Sequence, residues 1–320
     1  MHVIKINDDQ SLSWIEVPDP VMHDNEVLIK IKCAAMNRAD LLQRAGNYPP
    51  PPGSPEWMGL EVSGIVEAVG ANAVGGWKVG DAVCALLGGG GYAEKVAVDG
   101  SMLLPVPKGV SMIEAAALPE VYATSFLNLQ FEAGIKAGDT VFIQAGASGL
   151  GIAATQLAKA WGAKVITTVS NDRKAEASRK VGADIVVNRK TEDVGAVLDA
   201  NPPNIVLDCV GGEGLGKNFN KMAHGGRWIL IATLGGGETT IDLRKTLTKN
   251  LRLIGSTLRS RPPAMKAWVL GQLREKVWPL VESGQIRPVI YATYPLREAA
   301  AAQQIMMNQE NIGKIVLTVD

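Results

Sequence analysis

The stretch Thr140-Val141-Phe142-Ile143-Gln144-Ala145-Gly146-Ala147-Ser148-Gly149-Leu150-Gly151 decides the fold. Its first five residues read as a short buried strand, and its glycines fall as G-x-x-G-x-G rather than the commoner G-x-G-x-x-G. An amphipathic helix over Ile152–Trp161 follows, with Gly162 at its C-terminal cap and a second strand over Lys164–Thr168. A strand that turns directly into a helix over glycines lets the backbone approach a pyrophosphate closely. The helix start then turns free N–H groups toward the phosphate charge. Taken alone, such a turn is equally an ordinary tight turn; its setting among repeated β-α units points to a dinucleotide held by Gly146, Ser148, Gly149, Leu150 and Gly151.

Outward from this turn the repeat continues. Strands are expected over 184–188, 204–209, 227–233 and 251–256, with helices over 172–180, 192–200, 216–223 and 243–249. Gly182 and Gly225 stand at further helix ends. Apolar strands alternating with helices require a parallel sheet covered on both faces. Upstream the pattern differs. Val3–Ile6, Leu12–Val17, Val27–Lys32, Val62–Val69 and Ala82–Ala85 are short strands between turns, broken by one helical stretch near Asn37–Gln43. They suggest a small twisted barrel, mostly antiparallel. Ser111-Met112-Ile113-Glu114 is a capping box ahead of the next apolar run. A long helix over 264–283, a strand over 289–293, a helix over 296–308 and a strand over 314–319 close the chain. The fold class is therefore α/β: residues 1–118 and 260–320 form one domain, into which the parallel-sheet domain, 119–259, is inserted.

Composition narrows the function. The 320 residues are 47% hydrophobic, enough for two cores, and 32 Lys plus Arg balance 32 Asp plus Glu. A chain of zero net charge is not expected to bind nucleic acid, which calls for a basic excess or stripe. No apolar run reaches the length of a membrane helix, and the first residues lack a signal-peptide block, so a cytoplasmic protein off the membrane is expected. Cys33, Cys84 and Cys209 are scattered, and His2, His23 and His224 do not cluster, so no metal site is expected.

The end of the second strand bears on the nucleotide. NADH sites place an acid there for the ribose 2′-hydroxyl. Here the strand runs out through Val169-Ser170-Asn171 into Asp172-Arg173-Lys174. Ser170, Asn171 and Lys174, with Arg189 from the next loop, offer donors and positive charge to a 2′-phosphate, so NADPH is the expected cofactor. The alternative is that Arg173 and Lys174 merely solvate a helix start, with Asp172 as its cap or as a ribose acceptor.

Taken together, these segments resemble the medium-chain dehydrogenases/reductases over essentially the whole chain. Their plan is a GroES-like β-barrel catalytic domain split by a doubly wound Rossmann parallel-sheet domain. Zinc-containing members carry a cysteine in the first helical segment and a histidine in a G-H-E motif. This chain has Asn37 and Leu60 at those places, in Ala35-Met36-Asn37-Arg38-Ala39-Asp40 and Gly59-Leu60-Glu61. The likeness is more specific to the zinc-free NADPH:quinone oxidoreductase branch, which includes zeta-crystallin. It rests on Gly46-Asn47-Tyr48-Pro49-Pro50, Gly88–Tyr92, Leu118-Pro119-Glu120, Asp208-Cys209-Val210-Gly211-Gly212, Leu234-Gly235-Gly236-Gly237, Leu258-Arg259-Ser260-Arg261 and Asn311–Leu317. Arg189 departs from that branch, which usually has a tyrosine against the adenine.

The resemblance implies metal-free hydride transfer from NADPH to a quinone, or to the double bond of a 2-alkenal or enoyl thioester. Asn37 would position the nicotinamide or the acceptor, or simply cap a helix. Tyr48 would donate a proton, or only wall the substrate site. The resemblance also places Thr124, Cys209, Val210, Leu234, Gly235, Gly236, Leu258, Arg259 and Asn311 near the cofactor. A thioester user would need a basic entry to the cleft, which Arg38, Arg44 or Arg259–Arg261 could provide. It further implies a homodimer or homotetramer paired through an edge strand at 251–258.

Overall fold

The computed structural model of the protein describes residues 1–319. The chain divides into two compact units: Met1–Ala123 with Arg259–Asp320, and Thr124–Leu258.

The first unit opens with the hairpin β1 (His2–Ile6) and β2 (Leu12–Glu16), followed by β3 (Glu26–Ala35), α1 (Arg38–Arg44) and β4 (Glu61–Val69). Next come β5 (Ala82–Leu86), β6 (Lys95–Asp99), β7 (Leu103–Pro105) and the helices α2 (Met112–Ala116) and α3 (Pro119–Phe126). The expected capping box is present at α2: the Ser111 hydroxyl accepts from the Glu114 N–H, and the Glu114 carboxylate accepts from Ser111.

The second unit holds β8 (Thr140–Ile143), α4 (Gly149–Ala160), β9 (Lys164–Val169), α5 (Asp172–Lys180), β10 (Ile185–Asn188) and α6 (Val194–Ala200). It continues with β11 (Ile205–Asp208), α7 (Gly212–Asn218), β12 (Arg227–Leu230), α8 (Leu243–Thr248) and β13 (Arg252–Gly255). Its six strands are all parallel, in the order β10-β9-β8-β11-β12-β13. The chain winds outward from β8 in both directions, so strand order reverses between β8 and β11. The carboxyl ends of these two strands flank the crevice where such sheets bind ligands. Val141 and Ile143 pack with Ala154 and Ala158 on one face, while Phe142 packs with Phe219 and Trp228 on the other. Both faces are covered, which is why β8 reads as continuously apolar.

The chain then returns to the first unit through α9 (Pro263–Lys276), α10 (Trp278–Glu282), β14 (Ile290–Pro295), α11 (Ala299–Met307) and β15 (Lys314–Thr318). These last strands join the sheet β14-β15-β3-β4-β5-β7, to which β6 adds on β3. Only the β14–β15 pairing is parallel. Alternate residues of β3, Val27, Ile29 and Ile31, are fully buried with Val62, Val66, Ile315 and Leu317.

Some element ends differ from the expected ones. The single helix expected over 264–283 breaks at Val277, because Pro279 lacks the N–H that would continue the ladder. The helix expected from 192 begins at Val194, where the Asp193 carboxylate accepts from the Gly195 and Ala196 amides.

Candidate active site

In the second unit, the turn after β8 is built so that no side chain can intrude. A Cβ on Gly146 would strike the Thr167 hydroxyl, and one on Gly151 would strike the Ala145 carbonyl and sit 2.7 Å from the Gly146 Cα. The Gly146 N–H donates to the Thr168 carbonyl (2.9 Å), anchoring the turn to β9. Ser148 caps α4, its hydroxyl accepting from the Gly151 amide at 3.0 Å. The preceding amides, of Gly149 and Leu150, have no acceptor within the helix. A glycine turn leading directly into a helix start is the arrangement that fits a dinucleotide's pyrophosphate.

At the neighbouring strand end, Asn171 caps α5, its amide oxygen accepting from the Lys174 N–H at 2.9 Å. The Arg189 N–H donates to the Val169 carbonyl (3.0 Å), which brings the loop after β10 alongside Ser170. Burial holds the Lys174 ammonium below its usual value, and the cations of Arg189, Lys190 and Arg173 push it the same way. Lys190 therefore stands in this group as well.

On the other side of the crevice, Asp208 organises the loop after β11. One carboxylate oxygen accepts from the Val210 and Gly211 amides (2.7 and 3.0 Å) and from the Gln144 side chain (2.9 Å). The other accepts from the Trp228 indole at 2.9 Å. The Leu234 and Gly235 amides donate to the Cys209 and Val210 carbonyls, stitching the loop after β12 to the first. Thr124 lies in α3, where its carbonyl accepts from the buried Asn128 side chain (2.8 Å), and Leu258 is buried.

The first unit carries a different arrangement. Lys314, at the start of β15, is buried, and its three N–H bonds meet three oxygens: Met36 O at 2.6 Å, Asn37 Oδ1 at 2.8 Å and Glu61 Oε1 at 2.6 Å. Asn37 donates through Nδ2 to the same Glu61 oxygen (3.0 Å), and Glu61 Oε2 accepts from the Glu120 N–H at 2.8 Å. Asn37 is also the N-cap of α1, and its N–H donates to Asp40 Oδ2 at 2.7 Å. The Tyr92 hydroxyl donates to that oxygen too, at 3.0 Å. Burial pushes the Asp40 carboxyl up to about 6, against these hydrogen bonds and the Lys314 charge.

Tyr48 lies on the loop after α1, half-buried, with the Arg259 guanidinium 4.4 Å from its ring centroid. The loops beneath it are locked by glycines. A Cβ on Gly89 would come within 2.7 Å of the Pro55 carbonyl, and Gly59, at φ +102°, would meet the Gly91 backbone at 2.6 Å. Asn311 turns its amide onto the Gly313 carbonyl at 2.8 Å, shaping the entry to β15.

Comparison with known proteins places this geometry in a family. Residues 23–108 match the alcohol dehydrogenase GroES-like domain and residues 149–274 the zinc-binding dehydrogenase domain. Quinone oxidoreductase of Sus scrofa is 32% identical over 308 residues, covering 94% of this chain and 92% of that protein. The chain is a medium-chain dehydrogenase/reductase. It is an oxidoreductase with a GroES-like domain and a parallel-sheet Rossmann domain.

Among solved structures, an NAD-dependent alcohol dehydrogenase superposes with TM-score 0.87 at 28% identity, covering all of both chains. A mycobacterial protein solved with NADPH superposes with TM-score 0.86 at 27% identity, covering 99% of each. The first is NAD-dependent and the second was solved with NADPH, so the choice of nucleotide turns on this chain's own residues. In this medium-chain dehydrogenase/reductase, no group of three or more His, Cys, Asp or Glu side chains is placed to hold a metal among the described residues. Sequence reading passed over Lys314, Glu61, Asp40 and Asp208 as site-builders. The signal was present: each is a charge set in or beside an apolar run, and Glu61, Lys314 and Asp208 lie inside the motifs that carry the family likeness.

Proposed function

We propose that the chain is an NADPH-dependent quinone reductase that works without a metal. The observation that carries the nucleotide is the group of Lys174, Arg189, Lys190 and Arg173 at the strand end where NADH sites hold an acid. A 2′-phosphate there would gain charge-assisted hydrogen bonds from Lys174 and Arg189, with Ser170 and Asn171 beside them. The pyrophosphate would lie on the Gly146–Gly151 turn. Thr124, Cys209, Val210, Leu234, Gly235 and Gly236 would border the nicotinamide half. When bound, the reduced nucleotide supplies a hydride.

The protein's part is to meet the charge that then develops on the acceptor. A quinone that gains a hydride becomes a hydroquinone anion, and takes its proton from water or from a donor in the site. An enone gains the hydride at its β-carbon and needs a proton at the α-carbon. Tyr48 supports this second reading. Burial, then the Glu120 carboxylate, push its phenol up, so it stays protonated at neutral pH, ready to donate. Asn37 would serve as a fixed wall, since both ends of its amide are engaged with Lys314 and Glu61. Arg38, Arg44 and Arg259 donate to Met306 O, to Gln10 O and Gln303, and to Gly88 O and Tyr48 O respectively. That favours small enones over phosphate-bearing thioesters.

The test is oxidation of NADPH and of NADH with an ortho-quinone, a para-quinone and a 2-alkenal. Quinone turnover preferring NADPH is expected; no turnover with either quinone overturns the reading. Tyr48→Phe is expected to slow alkenal reduction by about a hundredfold and quinone reduction far less.

We further propose a homodimer through β13, which ends its sheet with Leu253 exposed, after α8 with Leu243 and Leu247 exposed. Sedimentation of the full chain at monomer mass at micromolar concentration would count against it.

A further inference from the structure

Arg259 is the first residue of the segment that returns to the first unit, and its guanidinium is spent there. Nε and Nη2 donate to the Gly88 carbonyl at 3.1 and 2.7 Å, Nη1 to the Tyr48 carbonyl at 3.1 Å, and Nη2 also to Gln43 Oε1 at 3.2 Å. Gln43 is itself buried and anchored, donating to the Glu56 carbonyl at 2.8 Å. One planar fork thus ties together the Tyr48 loop, the glycine loop at 88–91 and α1, while its central carbon lies over the Tyr48 ring, 4.4 Å from the centroid.

We propose that Arg259 is a positioning residue that aims the Tyr48 phenol and stabilises it as it gives up its proton. The inference rests on Tyr48 being the proton donor. A guanidinium over a phenol ring is held by the ring's electron-rich face, and the attraction grows when the ring becomes a phenolate. The five-donor fork fixes that face at one height, which a lysine's single ammonium would not do. Other charges bear on the pair: Glu120 from α3 raises the phenol, Asp40 from α1 acts on Arg259, and Lys266 from α9 feels both Glu120 and Arg259. Among these, Arg259 is the group that favours the phenolate of Tyr48, opposing both burial and Glu120. In the transfer, the Tyr48 O–H bond breaks, the α-carbon of the alkenal gains that proton, and the β-carbon has gained the hydride. Solvent returns the proton to the phenolate.

The experiment combines Arg259→Met, Arg259→Lys, Tyr48→Phe and the double variant Tyr48→Phe/Arg259→Met. In Arg259→Met, alkenal reduction is expected to fall about tenfold, with quinone reduction much less affected and the KM for NADPH unchanged. Arg259→Lys is expected to fall between, and it serves as the informative variant should Arg259→Met fail to fold. The double variant should be no slower than Tyr48→Phe alone. Independently of turnover, the tyrosinate absorbance of Tyr48, taken as the difference from Tyr48→Phe, should titrate at higher pH in both Arg259 variants.

An Arg259 effect of the same size in the Tyr48→Phe background overturns the inference. So does an unmoved tyrosinate titration, or a raised KM for NADPH as the main change. Full alkenal reduction by Tyr48→Phe alone instead overturns the proton-donor reading, and the titration then still reports whether the two side chains are coupled.

Discussion

The two units handle charge in opposite ways. In the second, Arg173, Arg189 and Lys190 are exposed around a half-buried Lys174, so like charges gather where water reaches them. In the first, Lys314, Glu61 and Asp40 are sunk beneath the surface, with hydrogen-bond partners on every one. Clustered surface cations repel one another and gain when an anion arrives, which suits a binding site. A buried ion pair has little to gain from any ligand. Its worth is in fixing geometry, here the backbone at Met36–Asn37 and the start of α1. The contrast separates like charges gathered at the surface from opposite charges paired in the interior.

The contrast is tested most severely at Lys314. Lys314→Met strands the Glu61 carboxylate in the interior and is expected to cost about 3–5 kcal/mol, read as a melting temperature lower by roughly 10 °C. Lys314→Met/Glu61→Gln should recover more than half of that. If the double variant is as unstable as the single, the pair is not what the unit depends on.

Asp40 probes the same network through pH. Its folded carboxyl titrates at about 6, above the roughly 3.9 of an unfolded aspartate. The folded protein therefore keeps a proton that the unfolded chain releases between those values. The stability from this group is full below about pH 4 and is lost as pH rises through 6, in total roughly 2–3 kcal/mol. Chemical denaturation of the protein and of Asp40→Asn across pH 4–7 should show a stability difference that changes by that amount. A difference constant with pH would mean that Asp40 is ionised throughout.

In the second unit the expected effect is on binding instead of folding. Lys174→Ala should raise the KM for NADPH by roughly ten- to a hundredfold, the value of one charge-assisted contact. The KM for NADH should stay within about twofold, and the melting temperature should barely move. An equal rise for both nucleotides would remove the 2′-phosphate from this loop.

The parallel-sheet unit was the more legible of the two. Its instructions are local: Gly146 and Gly151 lie within the turn they shape, Ser148 and Asn171 cap helices that begin at the next residue, and Gly162 and Gly182 end theirs at positive φ. Apolar strands alternating with helices have few ways to pack. The first unit was legible as a set of short strands, but its site joins residues that no spacing connects. Lys314 reaches Asn37 across 277 positions, and Arg259 reaches Tyr48 across 211. Asn37 stood out through the family likeness, near the nicotinamide or as a helix cap; it does cap α1, and it is β15, from the far end of the chain, that brings the Lys314 ammonium to its amide.

By itself, then, the sequence determined the β-α repeat, the glycine turn, the helix caps and the placing of cations at the end of β9. Each of these depends on residues within one turn of one another, where backbone geometry and side-chain type leave little choice. The tertiary structure alone decided which charges are buried and with whom, that Asp208 holds two loops, and that Arg259 lies on Tyr48. Those contacts exist only after strands distant in sequence have paired, since burial, and with it the cost of an unpaired charge, belongs to the packed chain.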